Sequence, residues 1–155
     1  MIAVLQRVKS AKVIADGVLS GKIGKGLYIL LGVEKGDDEL CSTALAEKIS
    51  KLRIFTDSND KLNLSCLDIS GEVLVVSNFT LNANYSHGNR PDYLNSAAPA
   101  EANRLYEHFV GEIKTRFGKC ETGVFGAYME TEMITDGPIT IVMSSDVLLK
   151  KGKEK

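Results

Sequence analysis

The sequence predicts an α/β-type (α+β-like) single domain, a mixed sheet or partly closed β-barrel with two main helices packed outside it. Three observations carry this. Two short unbroken apolar runs, Leu27-Tyr28-Ile29-Leu30-Leu31-Gly32-Val33 and Val73-Leu74-Val75-Val76, read as strands buried on both faces. Two longer segments repeat apolar residues at helical spacing, and both ends of the chain alternate apolar with polar residues as half-buried strands do.

In chain order, Ile2, Val4 and Val8 alternate with Arg7 and Lys9, giving a first strand. Val13-Ile14-Ala15 runs into Asp16-Gly17, a hairpin turn signal. Gly24-Lys25-Gly26 then leads into the first central strand. Asp37, Asp38 and Glu39 put negative charge in the first turn of a helix, where its dipole favours it. Cys41, Leu45, Ile49 and Leu52 make that helix's apolar stripe, so its role is packing.

Thr56 to Lys61 is a polar turn cluster. The second central strand runs into Ser77-Asn78-Phe79-Thr80-Leu81, and residues 82–92 read as a loop. A second helix starts near Pro99, a residue suited to a first turn, and buries Ala102, Leu105, Phe109 and Ile113. Two strands close the domain. Met129, Thr131 and Met133 belong to one; Ile139, Ile141 and Met143 belong to the other, after a turn at Asp136-Gly137-Pro138. The domain is expected to span 1–149, with 150–155 a charged, frayed tail.

A chain of 155 residues has room for one such domain. Its net charge is −1, from 19 basic and 20 acidic residues. Proteins that grip long nucleic acids by their phosphates show a basic excess, so any RNA contact is expected to be local, such as one strand end. Cys41, Cys66 and Cys120 are widely spaced and form no C-x-x-C pair, which argues against a zinc ribbon or redox couple and for a reducing compartment. The first residues turn polar too soon for a signal peptide, and no apolar run approaches the ~18 residues that span a bilayer. The expected location is the cytoplasm, with no membrane partner.

Familiar site motifs are missing. There is no G-x-x-x-x-G-K-[ST] loop and no G-x-S-x-G elbow. His87 and His108 lie too far apart for a local metal motif, so neither metal nor cofactor is expected. Gly123-Val124-Phe125-Gly126 has a G-x-x-G spacing without the flanking context of an RNA-binding module. Two segments stand out. At Ser77-Asn78-Phe79-Thr80-Leu81 an apolar strand turns abruptly polar. Amides and hydroxyls there can serve an oxyanion, or simply cap a strand. At Asp136-Gly137-Pro138 the chain either turns between strands or, lacking a Cβ at Gly137, admits a ligand or a second chain.

With Lys61-Leu62-Asn63-Leu64-Ser65, Gly88-Asn89-Arg90-Pro91 and Thr122-Gly123-Val124-Phe125-Gly126-Ala127-Tyr128-Met129, these two segments resemble the D-aminoacyl-tRNA deacylases of bacteria and eukaryotes. Members carry S-Q-F-T-L at Ser77–Leu81 and N-x-G-P-V-T at Thr135–Thr140. The resemblance implies hydrolysis of the ester that joins a D-amino acid to the tRNA 3′ end, with glycyl-tRNA a secondary substrate. It implies a homodimer in which a cis Gly137–Pro138 peptide enters the partner's site and excludes L side chains. Ser77, Asn78, Phe79 and Thr80 would be catalytic. Leu81, Phe125, Gly126, Met129, Gly137 and Pro138 would hold substrate, while Arg7 and Arg90 would make weak RNA contacts.

Within that resemblance, amides near Phe79 and Thr80 would hold the oxyanion. The terminal adenosine's 2′-hydroxyl would help activate water, with Thr80 as a covalent nucleophile the alternative. Asn78 departs from the usual glutamine and has a shorter reach. The loop Tyr85-Ser86-His87-Gly88-Asn89-Arg90 is less basic than the usual K-K-G-R-R. A module that binds tRNA or protein without turnover is the competing reading, and a Ser/Thr esterase acting on other substrates is a third.

Overall fold

In the computed structural model, which describes residues 1–150, the chain runs in order through β1 (Ile2–Ala15), β2 (Val18–Ile23), β3 (Gly26–Gly32), α1 (Glu39–Lys51), β4 (Phe55–Thr56), β5 (Leu62–Leu64) and β6 (Glu72–Ser77). A 3-10 turn (Phe79–Asn82), α2 (Pro99–Phe117), β7 (Glu121–Thr122), β8 (Met129–Ser144) and α3 (Ser145–Lys150) follow. Beyond Lys150, which ends α3, the charged tail lies outside the described residues.

The hub is β1. Its first half pairs antiparallel with β3, from Ile2↔Gly32 to Val8↔Gly26, and its second half with β2, from Ala11↔Ile23 to Ala15↔Val18. Its other edge carries β8, from Ile2↔Ser144 to Ala15↔Met129. On the far side β3 pairs in parallel with β6, and β6 with β7, giving the order β2-β1-β3-β6-β7. Twist brings the two ends of this path together: Ser20 Oγ donates to Thr122 O at 2.8 Å. The result is the mixed, nearly closed barrel the sequence predicts.

Side-chain alternation along β3 and β6 makes two cores. Leu27, Ile29, Leu31, Val73 and Val75 point outward to the helices, meeting Leu45 and Ile49 of α1 and Leu105, Phe109 and Ile113 of α2. Tyr28, Leu74 and Val76 point inward with Val8, Val13 and Ile23. Asp38 caps α1 by accepting from Cys41 N at 3.2 Å, an interaction of about 1 kcal/mol. Pro99 opens α2, and Gly118 ends it at φ 77°, in the left-handed region. Burial pushes the thiols of Cys66 and Cys120 up to about 12, so neither is a reactive thiolate at neutral pH.

The Met1 ammonium is fully buried and donates to Asp37 Oδ1 (2.7 Å), Glu34 Oε2 (3.0 Å) and Ser145 Oγ (3.0 Å). Burial alone would lower its pKa, but hydrogen bonds and charge from Asp37 and Glu34 outweigh this and hold it above the ordinary value.

The structure corrects three local expectations. The closing strands are not a hairpin. Both halves of β8 pair with the same edge of β1, and register slips from Gln6↔Thr140 to Val8↔Thr135, so residues 136–139 loop out opposite Arg7. On β1 the buried positions are Ala3, Leu5, Arg7, Val8, Ala11, Val13 and Ala15, while Ile2 and Val4 are half-buried. A short helix, α3, also follows β8, where the sequence pattern offers no helix.

Candidate active site

The candidate site lies at the carboxyl ends of the parallel pair β3 and β6, where the chain leaves the sheet, the end of parallel strands at which ligands bind in other α/β proteins. Ser77 pairs with Leu31, and Asn78 N donates to Leu31 O at 2.8 Å before the chain leaves the sheet. Asn82 anchors the 3-10 turn that follows. Only 4% exposed, it donates through Nδ2 to Val33 O (2.8 Å) and Ser96 Oγ (3.2 Å). Ser96 Oγ in turn donates to Phe79 O at 3.3 Å. These bonds tie the turn to the segment before α2, and Phe79 and Tyr93 meet edge to face at 5.0 Å.

Between the turn and the loop before β8 lies a cleft of about 950 Å³. Tyr28, Leu30 and Val76 make its floor. Its walls include Ser77, Asn78, Phe79 and Thr80 on one side and Phe125, Gly126 and Met129 on the other. Gly126 sits at φ 77°, a conformation that glycine takes without cost. Tyr106 stacks obliquely on Phe125, with ring centroids 6.0 Å apart, and fixes its own hydroxyl on Val75 O at 3.0 Å. The floor is polar at one point only, where the Tyr28 and Thr131 hydroxyls share a hydrogen bond of 3.0 Å.

The side chain of Asn78 turns back on its own backbone. Its Oδ1 accepts from Thr80 N at 3.2 Å and from Thr80 Oγ1, so it caps the 3-10 turn. A glutamine would be one methylene too long for this Asx-type closure. Two consequences follow. The Thr80 amide is occupied, whereas Phe79 N–H, the first amide of the turn, has no carbonyl to bond within it and no partner among the described residues. The Thr80 hydroxyl proton is directed at an amide oxygen, which is not a base.

Several residues expected at the site lie elsewhere. Leu81 is outside the cleft and packs against Gly32, where an added Cβ would come within 3.0 Å of Leu81 Cβ. Arg90 is exposed on the 84–92 loop, away from the cleft lining. Gly137 and Pro138 are exposed on the β8 excursion, remote from the cleft of their own chain, and the bond between them is cis.

Arg7 calls for a correction. At 8% exposure it cannot meet an RNA phosphate; it is spent on protein acceptors. Nε donates to Asp136 O (3.1 Å) and pairs with Asp136 Oδ2 (3.3 Å), while a terminal nitrogen donates to Ile54 O (3.0 Å). It therefore braces the 136–139 excursion from below. Replacing Arg7 with methionine is expected to cost about 2–4 kcal/mol in urea unfolding, because buried acceptors lose a charged donor. Lysine should not rescue it, having no fork to reach both carbonyls.

Sequence reasoning had no signal for Asn82, Ser96 or Tyr93, whose importance depends on two loops meeting. The Ser77–Thr80 segment and the Phe125–Met129 segment, by contrast, do come together.

Comparison with known proteins gives one consistent picture. Residues 4–144 match the profile of the family described as D-Tyr-tRNA(Tyr) deacylase. The chain is 48% identical over 143 residues to a D-aminoacyl-tRNA deacylase of Pelobacter propionicus, covering 92% of this chain and 99% of that one. It is 52% identical over 145 residues to one from Thermosipho africanus, covering 94% and 97%. A solved structure named c-Myc DNA Unwinding Element Binding Protein superposes with a TM-score of 0.87 at 35% identity, over 93% of this chain and 98% of that one. A probable eukaryotic D-amino acid tRNA deacylase superposes with a TM-score of 0.74 at 15% identity, covering 92% and 97%, a likeness of fold.

Proposed function

Because the chain belongs to the D-Tyr-tRNA(Tyr) deacylase family, we propose that it hydrolyses D-aminoacyl-tRNA to free D-amino acid and tRNA, and so removes wrongly charged D-residues in the cytoplasm before translation uses them. The observation that carries this reading is the cleft at the end of β6, where the Phe79 amide faces no partner of its own and no carboxylate or imidazole is among the lining residues.

The chemistry follows from that inventory. The ester carbonyl oxygen sits on Phe79 N–H. Water adds to the carbonyl carbon, and the developing oxyanion strengthens the bond to the amide, which is where a preorganised donor acts. The C–O bond to the terminal ribose then breaks, its oxygen leaves protonated, and the carboxylate departs. In the absence of a side-chain base, the adjacent 2′-hydroxyl of the substrate helps remove the water's proton. Asn78 keeps the turn in shape, and Ser77 holds it to the sheet.

Choice of enantiomer requires a second wall. We place it on a second copy of the chain, whose Gly137–Pro138 excursion enters this cleft and takes the substrate's α-amino group on its carbonyls. An L side chain would strike that wall, and glycine would not. Three features support a homodimer. Gly137 and Pro138 are exposed, the outer edge of β8 has no partner strand among the described residues, and Ile134 and Val142 on β8 are 59% and 72% exposed.

The test is paired deacylation of D- and L-tyrosyl-tRNA by the same preparation. The D form is expected to react at least about 100-fold faster, or about 2.7 kcal/mol in transition-state free energy, and glycyl-tRNA to be cleaved as well. Equal rates on the two enantiomers would sink the proposal. A non-catalytic nucleic-acid-binding module is the second reading, favoured by the 35% identity to a protein named for DNA binding. Its outcome would be tRNA retention without turnover at enzyme excess.

A further inference from the structure

Lys35 is the one charged side chain among the described residues that line the cleft. Its backbone is held firmly: Lys35 N donates to Asn95 O at 2.9 Å, Glu34 bridges to Ser96, and Ala97 N donates to Val33 O at 3.1 Å. Residues 33–35 thus form part of the strip that Asn82 ties to the 3-10 turn. The neighbouring carboxylates are occupied elsewhere, because Glu34 and Asp37 turn away to the buried Met1 ammonium.

Lys35 is exposed where two concave surfaces meet: a hollow also lined by Asp37, Asp38, Asp146 and Lys150, and the cleft, whose other described lining residues are uncharged. On the cleft side no carboxylate lies among the lining residues to compete for an anion drawn to Lys35. With an overall charge of −1, the protein offers no broad cationic field that would make one lysine redundant. A lysine in this setting acts as a point charge for phosphate.

From this we infer that Lys35 binds the phosphodiester joining the terminal adenosine of tRNA to its neighbour, the anion nearest the reacting ester. This rests on the deacylase reading and deepens it. Lys35 becomes the residue by which the cleft tells a polynucleotide end from an isolated aminoacyl-adenosine.

The experiment compares kcat/KM for D-tyrosyl-tRNA with that for the 3′-D-tyrosyl ester of adenosine, which has no phosphate, in wild type and Lys35→Gln. The preference for tRNA over the adenosine ester is expected to fall about 3–10-fold in the variant. For tRNA, the slope of log kcat/KM against log salt is expected to shrink by about 0.7, one single-strand phosphate's share. Lys35→Arg should restore most of both. Lys48→Gln, an equal loss of charge on exposed α1, should change neither.

An unchanged preference together with an unchanged slope would overturn the assignment, as would equal losses on both substrates. If the wild type does not cleave the adenosine ester, the salt slope alone decides. A wild type inactive on D-tyrosyl-tRNA refutes the deacylase reading instead, so the two failures are distinguishable. A thermal melt of each variant confirms that the exposed substitutions leave the fold intact.

Discussion

A D-aminoacyl-tRNA whose terminal adenosine lacks its 2′-hydroxyl is expected to be deacylated about 10²–10⁴-fold more slowly than the natural substrate, the usual worth of a positioned proton acceptor. The reason is what surrounds the ester. Aromatic and aliphatic side chains, amides and hydroxyls line the cleft, with no carboxylate or imidazole among them to take a proton from water. Thr80 does not fill the gap. Its hydroxyl donates to Asn78 Oδ1, and a threonine without an adjacent base is a poor nucleophile. Thr80→Ala should therefore cost less than about tenfold, whereas a covalent route through Thr80 would make it nearly fatal. Single-turnover assays on matched ribo- and deoxyribo-terminated substrates decide the point. Full-speed hydrolysis of the deoxy form would remove substrate assistance from the mechanism.

The second large effect concerns folding. Gly26→Ala is expected to prevent a stable native state, costing more than about 4 kcal/mol. A Cβ at Gly26 would lie 1.8 Å from Glu72 O and 2.7 Å from Glu72 N. Both are backbone atoms of the parallel register that starts β6, so no rotamer change relieves the clash. Relief would require separating β3 from β6, and with them the platform that carries Ser77 and the 3-10 turn. Loss of the near-UV circular dichroism signal and of a cooperative thermal transition would report this, and a normal melt would show the strands can yield. Gly17→Ala is a useful contrast. Gly17 has open space around it and only its φ of 81° to defend, so about 1–2 kcal/mol is expected there.

What could be read from the sequence follows from how local each signal is. The central strands β3 and β6 were legible because strands covered on both faces have to be apolar throughout. Helices α1 and α2 were legible because one covered face imposes a stripe. The inward turn of Arg7 was not. On sequence it is a polar residue in an alternating strand, and its acceptors, Ile54 O and Asp136 O, lie 47 and 129 residues away. The continuity of β8 was hidden for the same reason: Asp136-Gly137-Pro138 has the composition of a turn, and only β1 shows that both flanks share one edge.

The site divides in the same way. Ser77–Thr80 and Phe125–Met129 were recognisable as motifs, and they do face each other across the cleft. Leu81 was carried along by adjacency to its motif, although alternation in the 3-10 turn sends it toward Gly32. The role of Asn78 needed coordinates, since a shortened side chain says nothing about whether it reaches outward or closes on its own turn. Asn82 and Lys35 look like ordinary loop residues until two distant loops are brought together.

The pairing of Ile2 with Ser144 joins opposite extremes of the described fold. As the ribosome delivers the chain, β1 gains β2 and β3 early, but its remaining edge must wait until more than a hundred further residues have been made. Folding speed falls as contacts become more distant in sequence. Completion of this barrel is therefore tied to late synthesis, and the nascent chain carries a bare ribbon of amides and carbonyls throughout, the interval in which it is most open to mispairing with a neighbour.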